Sequence, residues 1–253
     1  MCGCGSVASA ARCPSPSAPL TGRPSSNPPG CTDPHVPDLK AAIVPVTAFQ
    51  QNCALIWDDA SKRATIIDPG GDVERILGAV DQLAIQPERI LLTHGHLDHA
   101  GGAAALREQL AERTGEPIPI EGPDERDRFL LDGLEMQAAE YGLPDVRNVT
   151  PDRWLREGDT LDIAGLAFDV LHCPGHTPGH VVFVNREFGL AIVGDVLFQG
   201  SIGRTDFPYG DTEALLRAIH DKLLPLGDEI AFLCGHGPGS TFGAERLSNP
   251  FLR

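Results

Sequence analysis

The segment Thr93-His94-Gly95-His96-Leu97-Asp98-His99, residues 93–99, directly follows the apolar run 90–92 and holds four potential metal ligands. Side chains two residues apart face the same way in extended backbone, so His94 and His96 can reach one ion. Asp98 and His99 lie where the chain bends into the next helix and point to a neighbouring position. A single histidine is usually packed or solvated, but four such ligands beside glycines predict a metal site.

Three further segments place a polar residue where an apolar strand runs out into glycine. His176 lies in the segment 171–180, Asp195 follows Gly194, and His236 follows Gly235, while Asp68 ends a fourth apolar run. Loops at strand ends are where rigid scaffolds hold functional groups, so convergence of these ends would gather the histidines and aspartates in one pocket. That set predicts two divalent metal ions sharing a bridging carboxylate, with Zn²⁺ favoured and iron or manganese as alternatives.

Short β-branched runs alternate with helical patterns from Ala41 onward. Strands are predicted at Ile43–Val46, Cys53–Asp58, Ala64–Asp68, Ile90–Thr93, Thr160–Ile163, Ala167–Leu171, Val181–Val184, Leu190–Val193 and Ile230–Cys234. Helices are predicted at 72–84, 101–113, 124–141 and 212–224. Strands form meanders in each half with helices between them, which predicts an α+β fold of two packed sheets with helices outside.

Composition excludes several classes of protein. The 253 residues are 42% hydrophobic and 22% charged, which is enough to bury a sizeable core. A net charge of −15 repels nucleic acid and anionic lipid, and no apolar stretch approaches the ~20 residues that span a membrane. The odd cysteine count of 7 in a chain of this length favours a reduced compartment, so we expect a cytoplasmic protein.

Residues 1–38 differ in composition from the rest, with prolines, small residues and charges that cancel. Residues 39–253 therefore carry the whole net charge of −15. We expect 1–38 to be a disordered extension and 39–253 to be the folded domain. Two alternatives stay open: a targeting segment, and translation from a non-AUG codon near Val36 or Leu39, since the next methionine after Met1 is Met136.

The motifs T-H-G-H-L-D-H (93–99), C-P-G-H-T-P-G-H (173–180), G-D (194–195) and G-H-G-P (235–238) together resemble the metallo-β-lactamase superfamily. The segment G-S-I-G-R-T-D-F-P (200–208) is similar to its glyoxalase II and persulfide dioxygenase branch. From Ile43 to Arg253 the chain resembles most the short bacterial type II glyoxalases, which are hydroxyacylglutathione hydrolase-like enzymes. The resemblance implies an αββα sandwich of two mixed β-sheets flanked by helices, with a hydrolase domain over 39–253.

The resemblance also implies a role for each ligand residue. The residues that would hold the first metal are His94, His96 and His176. The residues that would hold the second are Asp98, His99 and His236. Asp195 would bridge the two metals, so that Asp98 and Asp195 are the expected catalytic carboxylates. Asp68 would support the ligand loop from behind, as outer partners of metal-bound histidines do.

A thioester is the expected substrate. Two ions about 3.5–4 Å apart lower the pKa of a shared water toward ~7, which supplies a nucleophile at neutral pH. A thiolate leaves without protonation, because a thiol has a pKa near ~8.5. The resemblance implies S-lactoylglutathione, cleaved to D-lactate and glutathione in methylglyoxal detoxification. Since 17 residues follow His236, we expect the helical domain of longer glyoxalase II enzymes to be missing, and another thioester stays open as the substrate.

Arg204 is the expected contact for a substrate carboxylate, because a guanidinium can clamp both oxygens at once. The alternative is a structural ion pair with Asp206, two residues further on. Of the remaining histidines and cysteines, we expect packing or solvation rather than metal ligation for His35, His172, His180, His220, Cys53, Cys173 and Cys234.

The rival function is that of a mononuclear Fe(II) persulfide dioxygenase, in which His94, His176 and Asp195 would hold one iron. The match of the His176 segment and of the C-terminal stretch favours the hydrolase. The net charge of −15 disfavours a nuclease, and the lack of a visible export signal disfavours a β-lactamase. A non-catalytic metal-binding protein and the oligomeric state stay open.

Overall fold

The computed structural model describes residues 37–143 and 145–253. Its strands are β1 (Leu39–Val46), β2 (Gln51–Asp58), β3 (Arg63–Ile67), β4 (Gln86–Leu91), β5 (Ile120–Glu121), β6 (Thr160–Ile163), β7 (Leu166–His172), β8 (Val181–Asn185), β9 (Leu190–Gly194), β10 (Leu197–Phe198), β11 (Ser201–Ile202), β12 (Ala231–Cys234) and β13 (Ser240–Thr241). Its α-helices are α1 (Val73–Leu83), α2 (Leu97–Ala100), α3 (Ala103–Thr114), α4 (Arg128–Leu131), α5 (Leu134–Glu140), α6 (Thr212–Ala218) and α7 (Phe242–Ser248).

The longer strands form two mixed sheets. The first has the order β1-β2-β3-β4-β5, with β3, β4 and β5 parallel and the β1–β2 and β2–β3 pairs antiparallel. The second has the order β13-β12-β9-β8-β7-β6, in which β12 and β9 pair in parallel and the other pairs are antiparallel. Strands β10 and β11 form a separate hairpin. Three strand pairs are thus parallel, β3–β4, β4–β5 and β9–β12, and the loops at their carboxyl ends can carry a site.

Burial on both faces of β2 shows how the layers stack. Leu55 and Trp57 pack into the cluster that also contains the buried faces of α1 and α3. Ala54 and Ile56 point the other way and pack against residues of the second sheet such as Phe183. Because side chains alternate across a strand, one apolar run serves both layers. Helices α6 and α7 cover the outer face of the second sheet, so the predicted αββα sandwich is confirmed.

Two of the predicted helices are wrong in extent. Residues 124–141 form a 3₁₀ turn capped by Asp124, followed by the separate helices α4 and α5. Gly133, which has a low helix propensity, lies at the break between them. Residues 212–224 form α6, a π turn at Ile219–Leu223 and a 3₁₀ turn at Leu224–Leu226. Pro225 lacks an N–H and cannot continue the α-helical ladder.

The described residues begin at Pro37, next to the predicted domain boundary at residue 39. Asp38, which the composition assigned to the extension, donates its backbone N–H to Asp58 at 2.9 Å. The prediction that residues 1–36 are disordered falls outside the described residues and stays a prediction. Among the helices that the structure does describe, none is both long and apolar enough to cross a membrane.

Candidate metal centre

The predicted ligands come together at one edge of the sandwich. His94 and His96 lie between β4 and α2, Asp195 directly follows β9, and His236 is the second residue after β12. His176 lies in the loop between β7 and β8. Since β9 and β12 are parallel, their carboxyl ends meet at the same edge and bring residues far apart in sequence into one cluster.

The first cluster consists of His94, His96 and His176, whose ring nitrogens converge. His96 Nδ1 lies 3.1 Å from His94 Nε2 and 3.0 Å from His176 Nε2. Burial is the main cause that lowers the pKa of all three rings, and it lowers the pKa of His96 to about 3. The three imidazoles are therefore neutral, the form in which histidine binds a metal.

Hydrogen bonds at the far side of each ring fix which nitrogen carries the lone pair. Thr93 Oγ1 donates to Asp68 at 2.6 Å, so it can accept the Nδ1–H of His94 at 3.0 Å. The Nδ1–H of His176 donates to the carbonyl oxygen of Arg204 at 2.8 Å. The Nε2–H of His96 faces the hydroxyl of Tyr209 at 2.8 Å. This pattern of bonds assigns the lone pairs to the three atoms that converge.

The second cluster consists of Asp98, His99 and His236, whose ligand atoms lie within 4.8 Å of one another. His236 Nε2 lies 3.2 Å from Asp98 Oδ2. Burial works to lower the pKa of His99, but the carboxylates of Asp195, Asp98 and Asp68 raise it well above its ordinary value. Burial raises the pKa of Asp98, but His99 and His236 more than offset this and lower it. Concentrated carboxylates beside imidazoles suit a bound cation.

Asp195 lies between the two clusters. Its Oδ2 is 3.5 Å from His176 Nε2 in the first cluster and 3.6 Å from His236 Nε2 in the second. Its Oδ1 is 3.4 Å from His99 Nε2. Although burial raises its pKa, the imidazole of His99 lowers that pKa far below the ordinary aspartate value. Asp195 is thus an ionised carboxylate placed to face both clusters.

Two buried atoms at this position have no hydrogen-bond partner: His99 Nε2 and Asp195 Oδ1. Leaving buried polar atoms unpaired is costly, which is why such atoms usually have a partner. Both atoms belong to residues of the predicted ligand set, and they lie 3.4 Å from each other. The donor set of imidazole nitrogens and carboxylate oxygens fits divalent ions such as zinc, iron or manganese.

Asp68 lies behind the cluster rather than within it. Its Oδ2 accepts the Nδ1–H of His99 at 2.9 Å, which leaves His99 Nε2 as the atom that faces the site. Its Oδ1 accepts the backbone N–H of Thr93 at 2.7 Å. With both oxygens engaged by Thr93 and His99, Asp68 has the geometry of an outer partner that orients other side chains.

His180 has contacts that the sequence did not indicate. Its Nε2 accepts the backbone N–H of Asp195 at 3.0 Å, and its ring stacks on His94 with centroids 4.7 Å apart. It packs in the core, as predicted, but against two members of the proposed ligand set. The sequence contains one indication of these contacts, which is that His180 ends the G-H-T-P-G-H motif (175–180). Nothing comparable in the sequence indicates the contact of Tyr209 with His96.

A cleft of about 420 Å³ opens in front of Asp98, Asp195 and His236. The aromatic residues that line it are Phe49, Tyr141, Phe198, Phe207 and Tyr209. Arg204 is also part of the lining, with its guanidinium 4.9 Å from the centre of the Phe207 ring. The same guanidinium makes two hydrogen bonds of 2.9 Å to Asp206. The ion pair considered from the sequence therefore exists, at a position from which Arg204 can also reach the cleft.

The other histidines and cysteines of the described residues lie outside both clusters. His172 Nε2 lies 2.8 Å from the carbonyl oxygen of Pro178, and His220 is exposed. Cys53, Cys173 and Cys234 are buried free thiols, and burial raises the pKa of Cys173 to about 12 and that of Cys234 to about 11. His35 lies outside the described residues.

Residues 46–236 match the family model of the metallo-beta-lactamase superfamily, and the chain belongs to that superfamily. A curated relative, the hydroxyacylglutathione hydrolase GloC of Haemophilus influenzae, is 51% identical over 215 residues, which cover 85% of this chain and 98% of the relative. The prediction of a metallo-hydrolase similar to hydroxyacylglutathione hydrolases is confirmed by this match.

Two solved structures share the fold closely. A B3 metallo-beta-lactamase, BLEG-1, superposes with a TM-score of 0.75 at 36% identity, covering 84% of this chain and 99% of that chain. The protein TTHA1623, solved in a di-iron-bound form, superposes with a TM-score of 0.71 at 36% identity, covering 83% of this chain and 100% of that chain. BLEG-1 is named a metallo-beta-lactamase and the relative GloC a hydroxyacylglutathione hydrolase, so fold alone does not select the substrate.

Proposed function

We propose that the chain is a binuclear metal-dependent thioester hydrolase that converts S-lactoylglutathione to D-lactate and glutathione. The observation that carries the proposal is the position of Asp195, whose carboxylate faces both clusters at 3.4–3.6 Å from His99, His176 and His236. The similarity to hydroxyacylglutathione hydrolase GloC supports the choice of a thioester of glutathione.

In this proposal, two metal ions, taken to be zinc, occupy the two clusters. The residues that would hold the first are His94, His96 and His176. The residues that would hold the second are Asp98, His99 and His236, with Asp195 shared. Metal ions bound there would lower the pKa of a water toward ~7 and polarise the thioester carbonyl.

Asp98 and Asp195 are the carboxylates that line the cleft beside the clusters. The pKa of each is lowered, by the nearby histidines against the effect of burial, so both are ionised at neutral pH. An ionised carboxylate can accept a hydrogen bond from the attacking water and so hold its orientation. Asp98 is partly exposed toward the cleft, whereas Asp195 lies deeper.

The leaving group needs no acid from the protein. A thiol has a pKa near ~8.5, so glutathione can depart as a thiolate. The lining of the cleft is consistent with this, since its described carboxylates are the two aspartates Asp98 and Asp195, and burial raises the pKa of Tyr209, one of its two tyrosines, to about 12. The remaining lining residues therefore position the substrate rather than transfer protons.

The glutathione moiety has one candidate cationic contact in the described lining of the cleft, which is Arg204. Asp206 neutralises that guanidinium through two hydrogen bonds. A substrate carboxylate must therefore compete with Asp206 or share the guanidinium with it. We expect the aromatic rings around Arg204 to supply the larger part of the contact area.

The test is turnover of S-lactoylglutathione by the purified, metal-loaded protein, with metal content measured on the same sample. We expect two metal ions per chain and release of D-lactate and glutathione in equal amounts. Asp195→Asn should abolish turnover, whereas His220→Gln, which changes an exposed histidine outside both clusters, should leave it unchanged.

Other outcomes of that experiment separate the alternatives. Turnover of other thioesters but not of S-lactoylglutathione would support thioester hydrolysis and contradict S-lactoylglutathione as the substrate. One iron per chain, with oxygen uptake on glutathione persulfide, would replace the hydrolase by a persulfide dioxygenase. Hydrolysis of a β-lactam without any thioesterase activity would also contradict the proposal. A cytoplasmic location and the lack of a nucleic-acid partner belong to the same proposal and rest on the cysteine usage and the charge of −15.

A further inference from the structure

Asp127 is a fully buried carboxylate that the proposed reaction does not use. It ends the 3₁₀ turn Glu125–Asp127, just before α4. The turn packs against two loops: residues 92–96, which carry His94 and His96, and residues 173–180, which carry His176. We call these the 92–96 loop and the 173–180 loop.

Each oxygen of Asp127 accepts hydrogen bonds from these loops. Its Oδ2 accepts the backbone N–H of Gly95 at 2.9 Å and the hydroxyl of Thr177 at 2.7 Å. Its Oδ1 accepts the backbone N–H of Gly179 at 2.6 Å. Gly95 lies between His94 and His96 in the 92–96 loop. In the 173–180 loop, Thr177 directly follows His176, and Gly179 lies two residues further on.

Both loops also approach the turn too closely to tolerate a side chain at the contact. A Cβ on Gly95 would lie 2.8 Å from the Cβ of Leu130 and 3.3 Å from the Cβ of Asp127. A Cβ on Gly179 would lie 2.6 Å from the backbone nitrogen of Asp127 and 2.7 Å from its Cγ. The glycines at 95 and 179 are therefore the residues that let the backbone N–H groups reach the carboxylate.

We propose that Asp127 is a positioning residue that fixes the distance between the 92–96 loop and the 173–180 loop. It thereby holds the ring nitrogens of His94, His96 and His176 close enough together to bind the first metal. The three ring nitrogens come from two separate loops and converge within 3.0–3.1 Å. A carboxylate that binds both loops at once sets their separation directly. Outer partners of this kind typically change metal affinity by about 10–100-fold when they are replaced.

The test compares Asp127→Asn with the matched control Asp124→Asn in the metal-loaded full-length protein. Asp124 lies three residues earlier, is also buried, and uses its side chain on Arg126 rather than on either loop. The readouts are the zinc retained at increasing chelator concentration and the visible spectrum of the cobalt-loaded protein. His96→Ala and His236→Ala, each lacking one ligand of one cluster, identify the spectral bands of each cluster.

We expect Asp127→Asn to lower the affinity of the first cluster for its metal by about tenfold or more and to change the cobalt bands of that cluster. The affinity and the bands of the second cluster should be unchanged. Asp124→Asn should behave like the unmodified protein. Equal loss from both clusters, or retention and spectra that match Asp124→Asn, would overturn the proposal. These readouts do not depend on thioester hydrolysis, so they stand or fall separately from the proposed function.

A second variant covers the case in which Asp127→Asn does not fold. Thr177→Val keeps the shape of a fully buried side chain and removes a single hydrogen bond to Asp127. We expect the same selective loss from the first cluster, smaller in size. Unchanged zinc retention and an unchanged cobalt spectrum in Thr177→Val would then overturn the proposal.

Discussion

Asp68 accepts the Nδ1–H of His99 at 2.9 Å, and this bond leaves His99 Nε2, 3.4 Å from Asp195, as the atom that faces the metal centre. Asp68 directly follows β3, a strand of the first sheet, and His99 lies in the short helix α2. The pair connects the scaffold to the second cluster.

Replacement of Asp68 by Asn should weaken metal binding at the second cluster. Asn removes the negative charge behind His99 and no longer enforces the tautomer that points Nε2 at the site. We expect a loss of metal affinity of about 10–100-fold at the second cluster. The measurement is metal content after dialysis against graded chelator. Asp72→Asn is the control, because Asp72 accepts a bond from Thr47 outside both clusters; equal retention in the two variants would rule out this role for Asp68.

The pairing of Arg204 with Asp206 gives a test of substrate binding by two opposite changes. If Arg204 binds a substrate carboxylate, Arg204→Ala should raise KM for S-lactoylglutathione, and Asp206→Asn should lower KM because it frees the guanidinium. Steady-state kinetics of both variants, beside thermal unfolding, provides the measurement. Unchanged KM in both, with a lower Tm in both, would show that the ion pair is structural.

Substitution of His180 by Phe separates ring packing from hydrogen bonding. Phe keeps an aromatic ring beside His94 but cannot accept the N–H of Asp195, which then stays buried without a partner. Such an unpaired group costs about 1–3 kcal/mol, so we expect a lower Tm. Because the affected N–H belongs to the proposed bridging residue, kcat should fall more than KM rises. A lower Tm with unchanged kcat would confine His180 to a packing role.

Asp127 should leave a signature in the pH dependence of stability. Burial raises its pKa from the ordinary 3.8 to about 6, despite three donated hydrogen bonds that lower it. Between pH 4 and pH 6 the native state therefore holds a proton that the unfolded chain has released, so this residue makes stability fall as pH rises through that range. The contribution amounts to up to about 3 kcal/mol.

Denaturant unfolding of the metal-free protein across this pH range checks the expectation, with Asp127→Asn as the comparison. The variant lacks the titrating group, so the difference in unfolding free energy between the two proteins should shrink as pH rises from 4 to 6. Parallel pH profiles for the two proteins would contradict the raised pKa.

The proposed ligand set could be selected from the sequence because its members lie in short motifs. Four ligands lie within residues 94–99, and the others stand next to glycines at strand ends. The structure brings all seven predicted ligand residues into two adjoining clusters, with Asp195 between them. Helix α1 was likewise predictable, since Ile76, Leu77 and Val80 repeat with helical spacing and are buried together.

Other features carried no local signal. The 3₁₀ turn that replaces the start of the predicted helix 124–141 ends at Asp127, whose side chain contacts loops about 30 and 50 residues away in sequence. A periodic apolar pattern reports which face is buried but not what lies opposite it. The same limit applies to Tyr209, whose contact with His96 joins residues 113 positions apart.

The amino-acid sequence by itself determined the class of fold and which residues are proposed as metal ligands, because strand and helix periodicity and ligand chemistry are local properties of the chain. The tertiary structure decided which side chains stand behind those ligands, since His180, Asp127 and Tyr209 reach them from other loops. It also decided that Arg204 meets Asp206 at the cleft, because an ion pair depends on side-chain geometry that spacing does not specify.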